Sequence, residues 1–259
     1  MNRIATIFQQ CRAENRAALV IFAEAGYPDL AQSEQHIDNA IANGADLIEL
    51  GIPFSDPMAD GPVISAAGQT AIANGANLAN ILEMAARLRQ KHPTTGLILF
   101  SYFNVMYNYG LEALCAELQR IGVDGILAVD LPCEERDELL APCRAHGLHL
   151  IPLVSPATSP ERAKAIVQDA TGFVYYVSVR GITGARSAMP PELAANLATL
   201  RELSPVPVVV GFGIASRDSA HTVAACADGV VVGSAFVSAC DAPGRAAALV
   251  RELRNGCER

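Results

Sequence analysis

The sequence contains no tryptophan, and aromatic residues make up only 5% of it. Such a chain must build its interior from aliphatic side chains. With 51% hydrophobic and 18% charged residues, it has the balance of a packed globular protein and not of an intrinsically disordered one. There is no basic excess: 19 Lys and Arg face 27 Asp and Glu, a formal net charge of -8, which argues against nucleic acid as a ligand. The seven cysteines (Cys11, Cys115, Cys133, Cys143, Cys226, Cys240, Cys257) are scattered and form no Cys-x-x-Cys pair, so reduced thiols in a cytoplasmic protein are expected and no disulfide frame or zinc site is predicted. The histidines (His36, His92, His146, His149, His221) fall mostly on helices or helix ends, and no metal site is predicted from them. No apolar run reaches membrane-spanning length, and the polar N-terminal segment lacks the apolar stretch of a secretion signal. No Gly-rich fingerprint follows the first strand-like run, which removes the usual sign of a dinucleotide-binding sheet.

What is present is a repeated rhythm. Ile4, Ile7, Phe8 and Cys11 recur at helical spacing, predicting a short amphipathic helix ahead of the first strand, Leu19 to Ala23. The pattern from Ser33 to Ala42 predicts a helix closing at Asn43-Gly44, and a second strand follows at once. Further strands are predicted at Leu97–Tyr102, Gly125–Asp130, Leu148–Leu153, Gly172–Val177, Val206–Gly211 and Gly229–Gly233. Runs such as Val208-Val209-Val210 and Val230-Val231-Val232 read as strands of a parallel sheet covered by helices on both sides. Eight such units in 259 residues fit a closed (β/α)8 TIM barrel, expected to form a single domain over residues 1–259. The interval between the second and third strands is about twice the others, which predicts a long loop after strand two, on the face where barrels carry their active sites.

That loop begins in the most unusual stretch of the chain, Asp46-Leu47-Ile48-Glu49-Leu50-Gly51-Ile52-Pro53-Phe54-Ser55-Asp56-Pro57-Met58-Ala59-Asp60-Gly61-Pro62. An apolar strand carries a carboxylate, which is expensive to bury unpaired, and then breaks into a Pro-rich loop holding more acids. Glu49 is therefore a candidate general acid or base, and Asp60 a second carboxylate in a different environment with which it could divide the work. Glycine-bearing segments follow the last three strands, Gly181 to Ala185, Gly211-Phe212-Gly213-Ile214 and Gly233-Ser234-Ala235. Their backbone N–H groups could approach an anion, which predicts a phosphorylated substrate.

The stretch from Ala45 to Pro62 closely resembles the signature of the tryptophan synthase alpha chain family. Ser178 to Arg186 is similar to that family's mobile loop after strand six, Gly211 to Ile214 to its phosphate loop, and Tyr102-Phe103-Asn104 with Asn108 and Gly110 to its strand-three exit. The resemblance implies a barrel that cleaves indole-3-glycerol phosphate by a retro-aldol reaction into indole and glyceraldehyde 3-phosphate. It implies Glu49 as the acid/base and Asp60 as the partner of the indole N–H. An indole pocket would be formed by Phe22, Phe100, Tyr102, Leu127, Tyr175, Thr183 and Phe212, and phosphate would be bound by Gly184, Gly211, Gly213, Gly233 and Ser234. A pyridoxal-phosphate-containing beta chain would dock on Pro53, Phe54, Asp56, Pro57, Met58, Asn104, Asn108 and Pro132 in an alpha2beta2 complex, this chain holding no cofactor of its own. Two positions depart from the family pattern, Glu24 after the first strand and Ser65 beyond the Asp60 loop. By strand alternation Glu24 shares the parity of Phe22 and would point into the pocket near Glu49, the equal alternative being that it turns outward at the strand end, into solvent or onto a loop arginine. Two other readings remain open, a stand-alone lyase releasing free indole and a weakly catalytic barrel that activates the beta chain.

Overall fold

The computed structural model of the protein describes residues 3–177, 192–211 and 213–259. Its strands are β1 (Ala18–Glu24), β2 (Leu47–Gly51), β3 (Gly96–Ser101), β4 (Gly125–Ala128), β5 (His149–Leu150), β6 (Leu153–Val154), β7 (Val174–Val177), β8 (Val208–Gly211) and β9 (Gly229–Val232). They pair in parallel in the order β5-β4-β3-β2-β1-β9-β8-β7-β6. β5 and β6 are two halves of the predicted fifth strand. Ile151 donates its N–H back to Ile126 on β4 at 2.8 Å, whereas Pro152, which has no N–H, only accepts from Tyr175 on β7 at 3.0 Å. The strand hands its pairing from one neighbour to the other across the proline, and the circuit of a TIM barrel is complete.

Alternation along the strands separates two cores. Ala18, Val20, Leu47, Ile98, Leu127, Phe173, Val209 and Val231 point into the barrel, and the N-terminal helix Arg3–Ala13 plugs its lower mouth with Ile4, Ile7, Phe8 and Cys11. The opposite faces, including Leu19, Ile21, Ile48 and Leu50, pack under the outer helices. The small-residue approaches to the strands end in aspartates with a common task. Asp46 accepts the Leu19 N–H at 2.8 Å, Asp124 the Leu97 N–H at 2.9 Å and Asp228 the Val208 N–H at 3.0 Å, each reaching the foot of a neighbouring strand. Arg16, Arg89 and Arg201 neutralise them in turn.

The long interval after β2, predicted as loop, holds two helices, Pro62–Ala73 and Leu78–Lys91. A further unforeseen helix, Phe103–Tyr109, follows β3. The helices Pro62–Ala73 and Phe103–Tyr109 lie on the face at the C-terminal ends of the strands. Among the described residues no helix is long and apolar enough to cross a membrane.

Candidate active site

Strand pairing places Phe22, Glu49 and Ile98 at one level across β1, β2 and β3. Above this level a cavity of about 400 Å³ opens at the C-terminal end of the barrel, lined by Phe22, Glu49, Asp60, Phe100, Tyr175, Gly213, Gly233 and Ser234 among others. The predicted acids, aromatics and late-loop glycines thus converge from six parts of the chain. Phe22 and Phe100 meet edge to face at 4.9 Å and form an apolar wall. A slightly larger cavity of about 460 Å³ adjoins it and shares Val129, Leu153 and Val177. That neighbour holds neither Glu49 nor Asp60, and its arginines are engaged, Arg136 with the Ile166 carbonyl and Asp169, Arg162 with Glu134. The smaller cavity is therefore the candidate site.

Glu49 is inaccessible to bulk solvent, and neither carboxylate oxygen has a hydrogen-bond partner. Burial alone pushes it from 4.5 to about 8, so the carboxyl holds its proton at neutral pH. Asp60 is half-buried. Burial raises its pKa as well, but a hydrogen bond from Tyr102 opposes the rise. The two carboxyls therefore start from different environments, the condition for dividing acid and base roles. Gly211 leaves room for a substituent of the site: a Cβ there would lie 1.8 Å from the Tyr175 hydroxyl oxygen.

Several expected residues take other places. Leu127 lies in the barrel interior, with Phe100 and Tyr175 packed against its cluster. Tyr102 does not line the cavity; its hydroxyl accepts the Ala59 N–H at 2.8 Å behind the Asp60 loop. Pro53 is buried, its Cβ 3.8 Å from where a Cβ on Gly68 would sit. Asp56, Met58, Asn104, Asn108 and Pro132 are exposed, and Phe54 and Pro57 are half-buried. Tyr107, 57% exposed beside Asn104 and Asn108, is a surface aromatic the sequence reading missed. Thr183, Gly184 and Phe212 lie outside the described residues.

Glu24 does not approach Glu49 as alternation had suggested. Its side chain, 7% exposed, leaves the strand end toward the helix Pro62–Ala73, where Oε1 lies 3.1 Å from a Cβ built on Gly68. It also borders a small gap with Tyr27, Ser33, His36 and Cys240. Burial raises its pKa well above the carboxylate range, and the charge that adds to the rise is that of Asp60. Among the described residues there is no cluster of three or more His, Cys, Asp or Glu that could hold a metal.

The model of the family described as tryptophan synthase alpha chain matches residues 8–258. The chain is 48% identical to a tryptophan synthase alpha chain of Geobacter sulfurreducens over 237 residues, covering 92% of this chain and 89% of that one. It is 45% identical to one from Acidiphilium cryptum over 250 residues, covering 95% and 91%. A solved structure of Mycobacterium tuberculosis tryptophan synthase superposes with a TM-score of 0.93 at 36% identity, covering 100% of this chain and 99% of that chain. With its barrel, its paired carboxyls and these likenesses over nearly its whole length, the chain belongs to the tryptophan synthase alpha chain family.

Proposed function

We propose that Glu49 and Asp60 divide the acid–base and electrostatic work of the family's lyase reaction, the retro-aldol cleavage of indole-3-glycerol phosphate. The observation that carries this reading is Glu49 itself, a carboxyl with no hydrogen-bond partner, buried in an apolar cavity and protonated at neutral pH. Such a group can give its proton to indole C3. The cation that results is stabilised by Asp60 as a carboxylate accepting the ring N–H, in a site where low dielectric strengthens the attraction. Glu49, now a carboxylate, takes the proton of the hydroxyl on the carbon attached to C3. The C–C bond breaks, its electron pair restores the aromatic indole, and the aldehyde of glyceraldehyde 3-phosphate is released with Glu49 protonated again. Phe22 and Phe100 would hold the indole ring, and Gly213, Gly233 and Ser234 would donate to the phosphate.

The docking partner would be a tryptophan synthase beta chain in an alpha2beta2 complex, met through Met58, Asp56, Asn104, Asn108 and Pro132. It would carry the pyridoxal phosphate and receive the indole, in the cytoplasm, while residues 1–259 act as one barrel domain. The experiment is turnover of indole-3-glycerol phosphate by the wild type, Glu49→Gln and Asp60→Asn, each with and without the beta chain. Glu49→Gln should lose about 10²–10⁴-fold in kcat with little change in substrate affinity. Near-normal turnover in that variant would remove Glu49 from the chemistry. Full activity without the beta chain, together with no association on size exclusion, would favour the stand-alone lyase.

A further inference from the structure

The loop from Pro53 to Asp60 carries a carboxylate whose placement the proposed chemistry depends on. The Ala59 N–H of this loop donates to the Tyr102 hydroxyl oxygen at 2.8 Å. Tyr102 is 3% exposed, so the acceptor end of this part-buried bond is covered. The same hydroxyl acts on the neighbouring Asp60, where it opposes the rise in pKa that burial causes. Its ring packs on Phe54 at 5.1 Å, gripping the loop at its beginning as well as near its end. Tyr102 itself stands on firm ground. It directly follows β3, its backbone flanks the start of the helix Phe103–Tyr109, and the next N–H, that of Phe103, is held by Asp130 at 2.7 Å.

From this geometry we propose that Tyr102 is a positioning residue for catalysis, whose hydroxyl and ring fix the loop so that Asp60 faces the indole nitrogen, without Tyr102 itself touching the substrate. The inference rests on the lyase reading above and deepens it. A tyrosine suits the task because one rigid side chain supplies both an acceptor for a backbone N–H and a donor for a carboxylate, with a ring to pack against Phe54. Phenylalanine at this position keeps the packing and removes the hydroxyl from both the Ala59 N–H and Asp60.

The test is steady-state turnover of indole-3-glycerol phosphate by Tyr102→Phe across pH, in complex with the beta chain. A misplaced reacting or stabilising group can cost about 10²-fold, so kcat should fall by roughly 10–100-fold while KM stays within about twofold. A second readout is one that mere loosening of the fold would not move. The hydroxyl favours the charged form of Asp60, so its loss should carry the acid limb of the kcat profile to higher pH. The other titratable groups around this carboxyl are Glu24 on β1, Glu49 on β2 and Tyr175 on β7, and all three are unchanged in the variant. Ala59→Pro removes the donor with Tyr102 intact and should lower kcat in the same way, and the double variant should lose no more than the worse single one. If Tyr102→Phe fails to fold, Ala59→Pro alone carries the test. Wild-type turnover serves as the separate check on the lyase reading. With the wild type active, a Tyr102→Phe enzyme that keeps kcat and the acid limb overturns the proposal, as does a strictly additive double variant.

Discussion

Replacing Glu49 by Gln should inactivate the enzyme and at the same time make it more stable, by an amount that depends on pH. The folded protein holds the Glu49 proton to about 8, whereas the unfolded chain releases it near 4.5. Because the folded-state value is the higher one, the unfolded state loses its proton first as pH rises. The burden on folding is absent below 4.5, grows by about 1.4 kcal/mol per pH unit, and levels off above 8. At pH 5 it amounts to about 1 kcal/mol, at pH 7 to about 3 kcal/mol and above the upper value to about 5 kcal/mol. Gln is nearly isosteric and never ionises, so Glu49→Gln removes this pH-dependent part. Its unpaired amide adds a constant offset comparable to that of the unpaired neutral acid. For a barrel of this size, 3 kcal/mol corresponds to roughly 6–12 °C in Tm. Thermal and urea midpoints of both proteins, measured from pH 5 to 8.5, should therefore separate as pH rises. A difference that stays constant across that range would show that Glu49 does not carry a raised pKa, and the initial protonation of C3 by this residue would lose its basis.

The barrel was readable because its signals are local. Continuous Val, Ile and Leu runs mark strands buried on both sides, and the Asp at the foot of β2, β4 and β9 ends a short approach visible in the chain. Glu49 stood out for a related reason, as a charge where the pattern demands an apolar residue. What escaped depends on contacts between distant residues. The helix Pro62–Ala73 has no charged residue and its apolar side chains do not gather on one face, so no helical stripe announces it. The helix Phe103–Tyr109 is built from aromatics and Asn, poor helix formers, and owes its start to Asp130. Tyr102 looked like one more aromatic for the indole pocket; its real partner, Ala59, lies 43 residues away in sequence. Pro53 sat in a motif whose other members are largely exposed, and only the packing of Gly68 reveals that it is covered.

Gly211→Ala should cost about 1–3 kcal/mol or more and lower kcat/KM, since the new Cβ would sit 1.8 Å from the Tyr175 hydroxyl oxygen and force that ring toward the substrate cavity; melting temperature and turnover both report it. Asp130→Ala should remove about 1 kcal/mol from the helix Phe103–Tyr109 by freeing the Phe103 N–H, seen as faster hydrogen exchange of that helix and weaker association with the beta chain through Asn104 and Asn108. Glu24→Gln should leave the chemistry in place while changing stability. The Asp60 charge raises the Glu24 pKa, yet Glu24 is not among the groups that act on Asp60, the order expected when Asp60 ionises first and Glu24 then meets a charge already formed. Glu49, for its part, owes its shift to burial alone. Across the small gap Glu24 faces Tyr27, Ser33, His36 and Cys240, none of them a cation that would hold it ionised; His36 has its own pKa lowered by burial. Burial and the Asp60 charge both favour the neutral carboxyl, for which an amide of the same shape is a close stand-in. The pH–rate profiles of Glu24→Gln and wild type should superimpose on both limbs. The variant should nevertheless unfold at increasingly higher temperature than the wild type as pH rises, because only the wild type must keep a buried acid protonated. A shift of either limb by more than about half a pH unit would show that Glu24 shares a proton with the catalytic carboxyls after all.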